Sequence, residues 1–171
     1  MIRISVTGPE STGKSWLAQR LAEYYQTDWV PEFARTYLQE INRQYTFDDI
    51  LVISQNQFAN ENCFADFNGP VFCDTDFCVT SIWSNVKFGK SHPWITEQLE
   101  QNHYSLYLLC NIDLPWQYDP LREHPEMRSE LFGMYLNLLE KQKFNYRIVE
   151  GIGDQRLQNA INYIDTFLDL K

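Results

Sequence analysis

Residues 8–15 read Gly-Pro-Glu-Ser-Thr-Gly-Lys-Ser, a complete G-x-x-x-x-G-K-[ST] pattern, directly after the alternating apolar stretch Met1 to Thr7. A strand that ends in a glycine-rich turn and runs into a helix points consecutive backbone N–H groups at one spot, with the positive helix end behind them. Such a turn holds phosphate. The backbone of Gly8, Glu10, Ser11, Thr12 and Gly13 is expected to cradle a nucleotide's phosphates, Lys14 to reach the β and γ phosphates, and Ser15 to hold Mg²⁺. The alternative is a chance match in an ordinary loop. A strand before the pattern and an amphipathic stretch after it argue against that alternative.

Outward from this loop the chain alternates. Leu17, Leu21 and Tyr24 repeat at helical spacing across Lys14 to Tyr25. Asp28 to Val30, before Pro31, reads as a short second strand, because the residue before proline is biased to extended geometry. Tyr37, Leu38 and Ile41 suggest a helix, and Thr46 with Asp49 forms a capping-box pattern for the next, running to Phe58 or beyond. After Gly69-Pro70, Val71 to Cys73 is a third buried strand tipped by Asp74-Thr75-Asp76. Val79, Ile82, Trp83 and Val86 continue as a helix ended by Gly89, and Pro93 opens another through Leu99. Tyr104 to Leu109 is a strand, Asn111 to Glu126 a long polar loop, Leu131 to Leu139 a helix, and Tyr146 to Val149 the last strand. A closing helix covers Asp154 to Leu168. Strands alternating with helices predict an α/β domain of three layers, with a five-stranded parallel sheet flanked by helices. We expect one domain over 1–171, with an arginine-bearing lid near 111–128.

Composition narrows the partners. Net charge is −9, with 14 Lys and Arg and no basic run, so nucleic acid is a poor partner, since phosphate neutralisation needs clustered cations. No apolar run approaches the roughly 20 residues of a membrane span, and the chain opens on a strand, so a soluble, cytoplasmic protein is expected. The spacing of Cys63, Cys73, Cys78 and Cys110 contains no C-x-x-C pair, which favours buried free thiols over a zinc site. Whether the chain forms a homo-oligomer stays open.

In parallel sheets ligands sit at the carboxyl ends of the strands, where Gly8, Glu32, Asp74, Asn111 and Gly151 all fall. Asp74 occupies a Walker-B-like position suited to Mg²⁺; the alternative is a helix cap, for which Asp76 is equally placed. Glu32 can act as general base for an attacking hydroxyl, a role that Asp74 could share or replace, or simply pair with Arg35, which could itself hold substrate or phosphate. Arg122 and Arg128 are candidates for a lid that closes over transferred phosphate, against a solvated loop as the bland reading. Gln57 is a candidate for hydrogen-bonding a planar base. His92, His103 and His124 have no ligand-like spacing, and most of the five Trp read as core, with one or two free to stack on a base.

Taken in order, these motifs resemble the NadR-type ribosylnicotinamide kinase domain, a P-loop family related to nucleoside and nucleotide kinases. The matching pieces are 8–15, Pro31-Glu32-Phe33-Ala34-Arg35, Gln57, Asp74-Thr75-Asp76-Phe77 with Thr80, Phe88 to Pro93, Pro115-Trp116 with Asp119 and Leu121-Arg122, and Arg156. The resemblance implies phosphorylation of the 5′-hydroxyl of nicotinamide riboside by ATP and Mg²⁺. By that analogy Glu32, Arg35, Asp76 and Asp119 line the nucleoside side. Lys14, Ser15, Asp74 and Arg122 serve phosphates and metal, and Gly151 to Arg156 lies near the adenine. Full NadR proteins carry an adenylyltransferase domain, and some a DNA-binding one, upstream; with a chain opening at the kinase's first strand, neither activity is expected. Two positions depart from the family pattern and bear on which nucleoside fits. Pro31 stands where some relatives have an aromatic residue, and Tyr118 replaces one of two paired acids. The alternatives are a kinase for another nucleoside or nucleotide, or a nucleotide-sensing regulatory ATPase module.

Overall fold

Why the chain forms three layers is visible in the parity of its strands. In the computed structural model, which describes residues 1–64 and 69–169, five parallel strands are joined by helical crossovers. They are β1 (Ile2–Thr7), β2 (Trp29–Val30), β3 (Pro70–Asp74), β4 (Leu106–Cys110) and β5 (Tyr146–Val149), in the order β2-β3-β1-β4-β5. β1 lies at the centre, with Ser5 opposite both Cys73 and Tyr107. Successive side chains point to opposite faces. Ile4 and Val6 of β1, Phe72, and Leu106 and Leu108 therefore face one side, against Leu17 and Leu21 of α1 (Lys14–Tyr25) and Ile161 and Ile164 of α7 (Asp154–Asp169).

Val71, Cys73, Tyr107 and Leu109 face the other side. That face is covered by α3 (Phe47–Asn62), α4 (Phe77–Phe88), α5 (Pro93–Gln101) and α6 (Arg128–Lys141), while α2 (Phe33–Glu40) packs beside α3. A parallel strand buried on both faces is normally apolar throughout, and β1 is the exception. Arg3, Ser5 and Thr7 send a file of polar side chains into the second layer. Arg3 lies against Phe58 and donates to Asn62 Oδ1, with its guanidinium 3.9 Å from Glu61 Oε2. Tyr104 donates to Glu61 Oε1 at 3.0 Å, and Ser5 donates to Asp76 Oδ2. Burial pushes the Glu61 carboxyl up to about 7, against the pull of Arg3 and Tyr104.

The expected elements are present with small shifts. Asp49 accepts from Thr46 N at 2.7 Å at the start of α3. The fourth strand begins at Leu106 rather than Tyr104, whose hydroxyl donates to Glu61. A short 3₁₀ turn, Pro125–Met127, ends the loop before α6. No helix among the described residues is long and apolar enough to cross a membrane.

Candidate active site

The turn between β1 and α1 is built from backbone conformations that most side chains avoid. Gly8 has φ +128° and Gly13 φ +76°, with Ser11 between them at +57°. A Cβ on Gly8 would lie 3.0 Å from the Cys110 carbonyl oxygen, so the loop needs glycine there both for its dihedral and to lie against β4. Gly13 caps α1, leaving the first helical N–H groups without internal partners, as an anion site requires. Lys14 Nζ donates to the Pro9 carbonyl at 2.9 Å, and Thr12 Oγ1 donates to the same oxygen at 2.8 Å.

Asp74 ends β3 beside this loop, in register with Val6. It is 1% exposed, and its Oδ1 has no hydrogen-bond partner among the described residues. Burial, and then the neighbouring Glu32 carboxylate, push its carboxyl well above the usual carboxylate range, while Lys14 and Ser15 pull the other way. Thr75, next in the chain, holds φ +93°. A β-branched residue in that region stores about 1–3 kcal/mol of strain, and it separates Asp74, beside the loop, from Asp76, which caps α4.

These groups open into a cavity of about 530 Å³. The phosphate loop, Lys14 and Ser15 form part of its wall. Glu32 and Arg35, at the start of α2, and Gln44 and Tyr45, before α3, line the rest with Trp83 of α4 and Tyr135 of α6. The segment 111–128 folds across this space. Gln117 N and Arg122 Nη1 donate to Ser11 Oγ at 2.9 and 3.3 Å, and the Arg122 guanidinium lies over the Trp116 ring. Glu10 accepts from the backbone N–H groups of Glu123 and His124 at 3.2 and 3.1 Å. Arg35 pairs with Asp119 at 2.9 Å. Asp119 is held low, first by the N–H of Leu121 and then by Arg35. Glu123 accepts from Tyr45 at 2.6 Å and from Lys87 at 3.0 Å, and Trp83 Nε1 donates to the Tyr45 hydroxyl.

The structure thus brings together Gly8, Glu10, Ser11, Thr12, Gly13, Lys14, Ser15, Glu32, Arg35 and Arg122 around one cavity. Asp74 does not line the cavity but is buried next to residues that do, feeling the charges of Lys14 and Glu32, and Asp119 reaches the cavity through Arg35. Four expectations are corrected. Asp76 does not line the cavity. It is buried, accepts from Ser5 and from Val79 N at 2.9 Å, and caps α4, so its carboxylate is committed to the fold. Gln57 faces the backbone of α2, accepting from Phe33 N at 2.9 Å, and is absent from the cavity wall. Arg156, expected near the adenine, is fully buried, with both terminal nitrogens held by Asp113 and by carbonyls of three loops. Arg128 donates to the carbonyls of Leu114 and Ser11 rather than reaching the open cavity.

Part of the cavity wall has little sequence signal of its own. Tyr45, Trp83, Lys87, Glu123 and His124 all line the cavity. His124 has no ligand-like spacing, and the helical spacing of Trp83 reads as core. The excess of tryptophan was the one signal for the aromatic part of that wall. Cys73, Cys78 and Cys110 are buried free thiols and Cys63 an exposed one.

A family profile described as AAA domain matches residues 3–156. Among curated proteins, the Trifunctional NAD biosynthesis/regulator protein NadR of Escherichia coli (strain K12) is 26% identical over 170 residues, covering 94% of this chain and 41% of that protein. Its counterpart in Salmonella typhimurium is 28% identical over 125 residues, covering 70% of this chain and 30% of that protein. The chain therefore spans less than half the length of these relatives. Among solved structures, NadR protein in complex with NR superposes with a TM-score of 0.78 at 24% identity, covering 99% of this chain and 52% of that one. A deoxyadenosine kinase from M. mycoides superposes at 0.68 with 10% identity, covering 96% of this chain and 100% of that one. At these identities the solved structures share the fold.

Proposed function

The chain belongs to the AAA-domain family, and from that premise we propose that it is a nucleoside kinase whose first-choice acceptor is the 5′-hydroxyl of nicotinamide riboside. The observation that carries this reading is a single cavity lined both by a complete phosphate loop and by Glu32, Arg35 and the aromatic side chains of Tyr45 and Trp83. The name of the curated relatives, NAD biosynthesis, and a NadR structure in complex with NR favour nicotinamide riboside over other nucleosides.

The residues present fit ATP with Mg²⁺. The glycine-shaped turn offers backbone N–H groups to phosphate, and Asp74 Oδ1, buried and unpartnered, is a hard oxygen donor near Ser15. Mg²⁺, when bound with the nucleotide, supplies positive charge at the β and γ phosphates, and Ser15 and Asp74 are the residues that would hold it. Lys14, parked on the Pro9 carbonyl, leaves that acceptor for the phosphates. Glu32 takes the proton from the acceptor hydroxyl as its oxygen bonds to the γ phosphorus and the bond to the β–γ bridging oxygen breaks, giving a phosphate ester, ADP and a proton. Arg35 and Asp119 orient the sugar. Arg122 closes on the transferred group, and the lid keeps water from competing with the hydroxyl.

ATP consumption across nicotinamide riboside, other nucleosides and nucleoside monophosphates, with product mass determined, tests the proposal. Nicotinamide riboside should give nicotinamide mononucleotide. Lys14→Ala should lower turnover roughly a hundredfold or more, and Arg122→Ala should slow turnover more than it weakens ATP binding. Normal turnover in either variant, or no consumption with any acceptor, would sink the assignment.

A further inference from the structure

Arg156 is an anomaly in its own helix. It lies in the first turn of α7, where the helix dipole favours acidic side chains over basic ones, and it is buried completely. Burying a guanidinium costs several kcal/mol unless it is paired and hydrogen-bonded, and nothing local to α7 asks for it. Its partners lie in three different loops. Nη1 donates to Asp113 Oδ1 at 2.6 Å and to the Gly151 carbonyl at 2.7 Å. Nη2 donates to the Asn111 carbonyl at 2.9 Å and to the Thr12 carbonyl at 3.0 Å. Asp113 Oδ2 accepts in turn from Gly151 N at 2.6 Å. The loops after β1, β4 and β5 are thereby joined at one buried cation.

The bond to Thr12 is the informative one. Thr12 C=O and Gly13 N–H belong to the same planar peptide unit, so they point in opposite directions. Thr12 and Gly13 line the cavity and Arg156 does not. Holding the Thr12 oxygen on the protein side therefore turns the Gly13 N–H toward the cavity. It also moves a partial negative charge away from the place where an anion binds. Arg128 treats the preceding unit alike, donating to Ser11 O at 3.1 Å.

We infer that Arg156 is a positioning residue: its guanidinium, held by Asp113, fixes the Thr12–Gly13 peptide so that the Gly13 N–H is aimed at the phosphates of the bound nucleotide. The inference rests on the phosphate-site half of the proposed function and needs no particular acceptor.

Inorganic triphosphate is the probe. Amide chemical shifts of wild-type protein should show the Gly13 N–H displaced strongly on adding triphosphate. Arg156→Lys keeps the charge and the stem but cannot reach all four acceptors. With a cooperative melt preserved, it should bind triphosphate about tenfold more weakly and show a smaller Gly13 displacement. Asp113→Asn, which leaves the guanidinium without its counter-charge, should move both readouts the same way. If wild-type protein binds no triphosphate, the phosphate-site reading falls and this inference with it. If wild type binds but its Gly13 amide does not respond, or if folded Arg156→Lys binds equally well, this inference alone is overturned. Where Arg156→Lys does not fold, Asp113→Asn carries the same test, and unchanged triphosphate binding and Gly13 displacement in that folded variant would overturn the inference.

Discussion

Replacing Glu61 with Gln should make the protein more stable at pH 8 and leave it nearly unchanged at pH 4. Glu61 is fully buried on the last turn of α3, facing Arg3 of β1, the Tyr104 hydroxyl, the Cys73 thiol and Asp76. Its carboxyl is raised from 4.5 to about 7. With the folded value above the unfolded one, the folded state binds the extra proton. The stabilisation is thus fully present below pH 4.5 and is lost as pH rises through about 7. A shift of that size at ~1.4 kcal/mol per pH unit amounts to about 3 kcal/mol. Glutamine mimics the protonated acid. It keeps an oxygen for Tyr104 and does not ionise, while Arg3 retains Asn62 and the face of Phe58. Urea denaturation followed by circular dichroism at both pH values measures the difference directly. Taking wild type minus variant removes the parallel contributions of Asp74 and Asp76, which are also raised. A variant less stable than wild type at pH 8 would refute the reasoning, because Arg3 at 3.9 Å would then outweigh the burial.

Asp76→Ala should cost about 2–4 kcal/mol, from a lost N-cap and a stranded Ser5 hydroxyl, whereas Asp76→Asn should cost less and leave the acceptor KM unchanged. Urea denaturation and steady-state kinetics together check it, and a raised KM at wild-type stability would restore Asp76 to the substrate side. Glu10→Ala removes both acceptors that hold the lid at Glu123 and His124. It should raise ATP hydrolysis relative to ester formed and lower kcat roughly tenfold with little change in KM for ATP, as read by ADP and ester yields. An unchanged ratio would mean that the lid closes without it.

The fold was legible because its signals are local. A glycine-rich turn after an alternating strand, proline before α5 and the Thr46–Asp49 cap each declare themselves within a few residues. The choice between Asp74 and Asp76 was not. Both follow an apolar strand, and only the register that sets Asp74 against Val6 separates the one beside the loop from the one that caps α4. The aromatic part of the cavity wall was hidden for a different reason: Tyr45, Trp83 and Glu123 come from three segments, and no spacing links them. Glu61 and Arg156 were invisible as buried charges because their partners lie far along the chain; Arg156 and Thr12 are separated by 144 positions. Periodicity places a residue on a face, but it does not say what charge the opposite element will present there.

That separation has a consequence for how the protein comes into being. The phosphate loop leaves the ribosome long before the groups that shape it: Cys110, against which Gly8 packs, Leu114 beneath Gly13, and Arg156 behind Thr12. A nascent chain released as far as β3 carries the whole glycine-rich motif yet lacks the surfaces that give it form. ATP is abundant in every cell, but it cannot stabilise such an intermediate by mass action, because a ligand stabilises only a state able to bind it. Nucleotide protection should therefore arrive in one step, once β5 and α7 have docked. Truncations ending before that point should behave in ATP as they do without it.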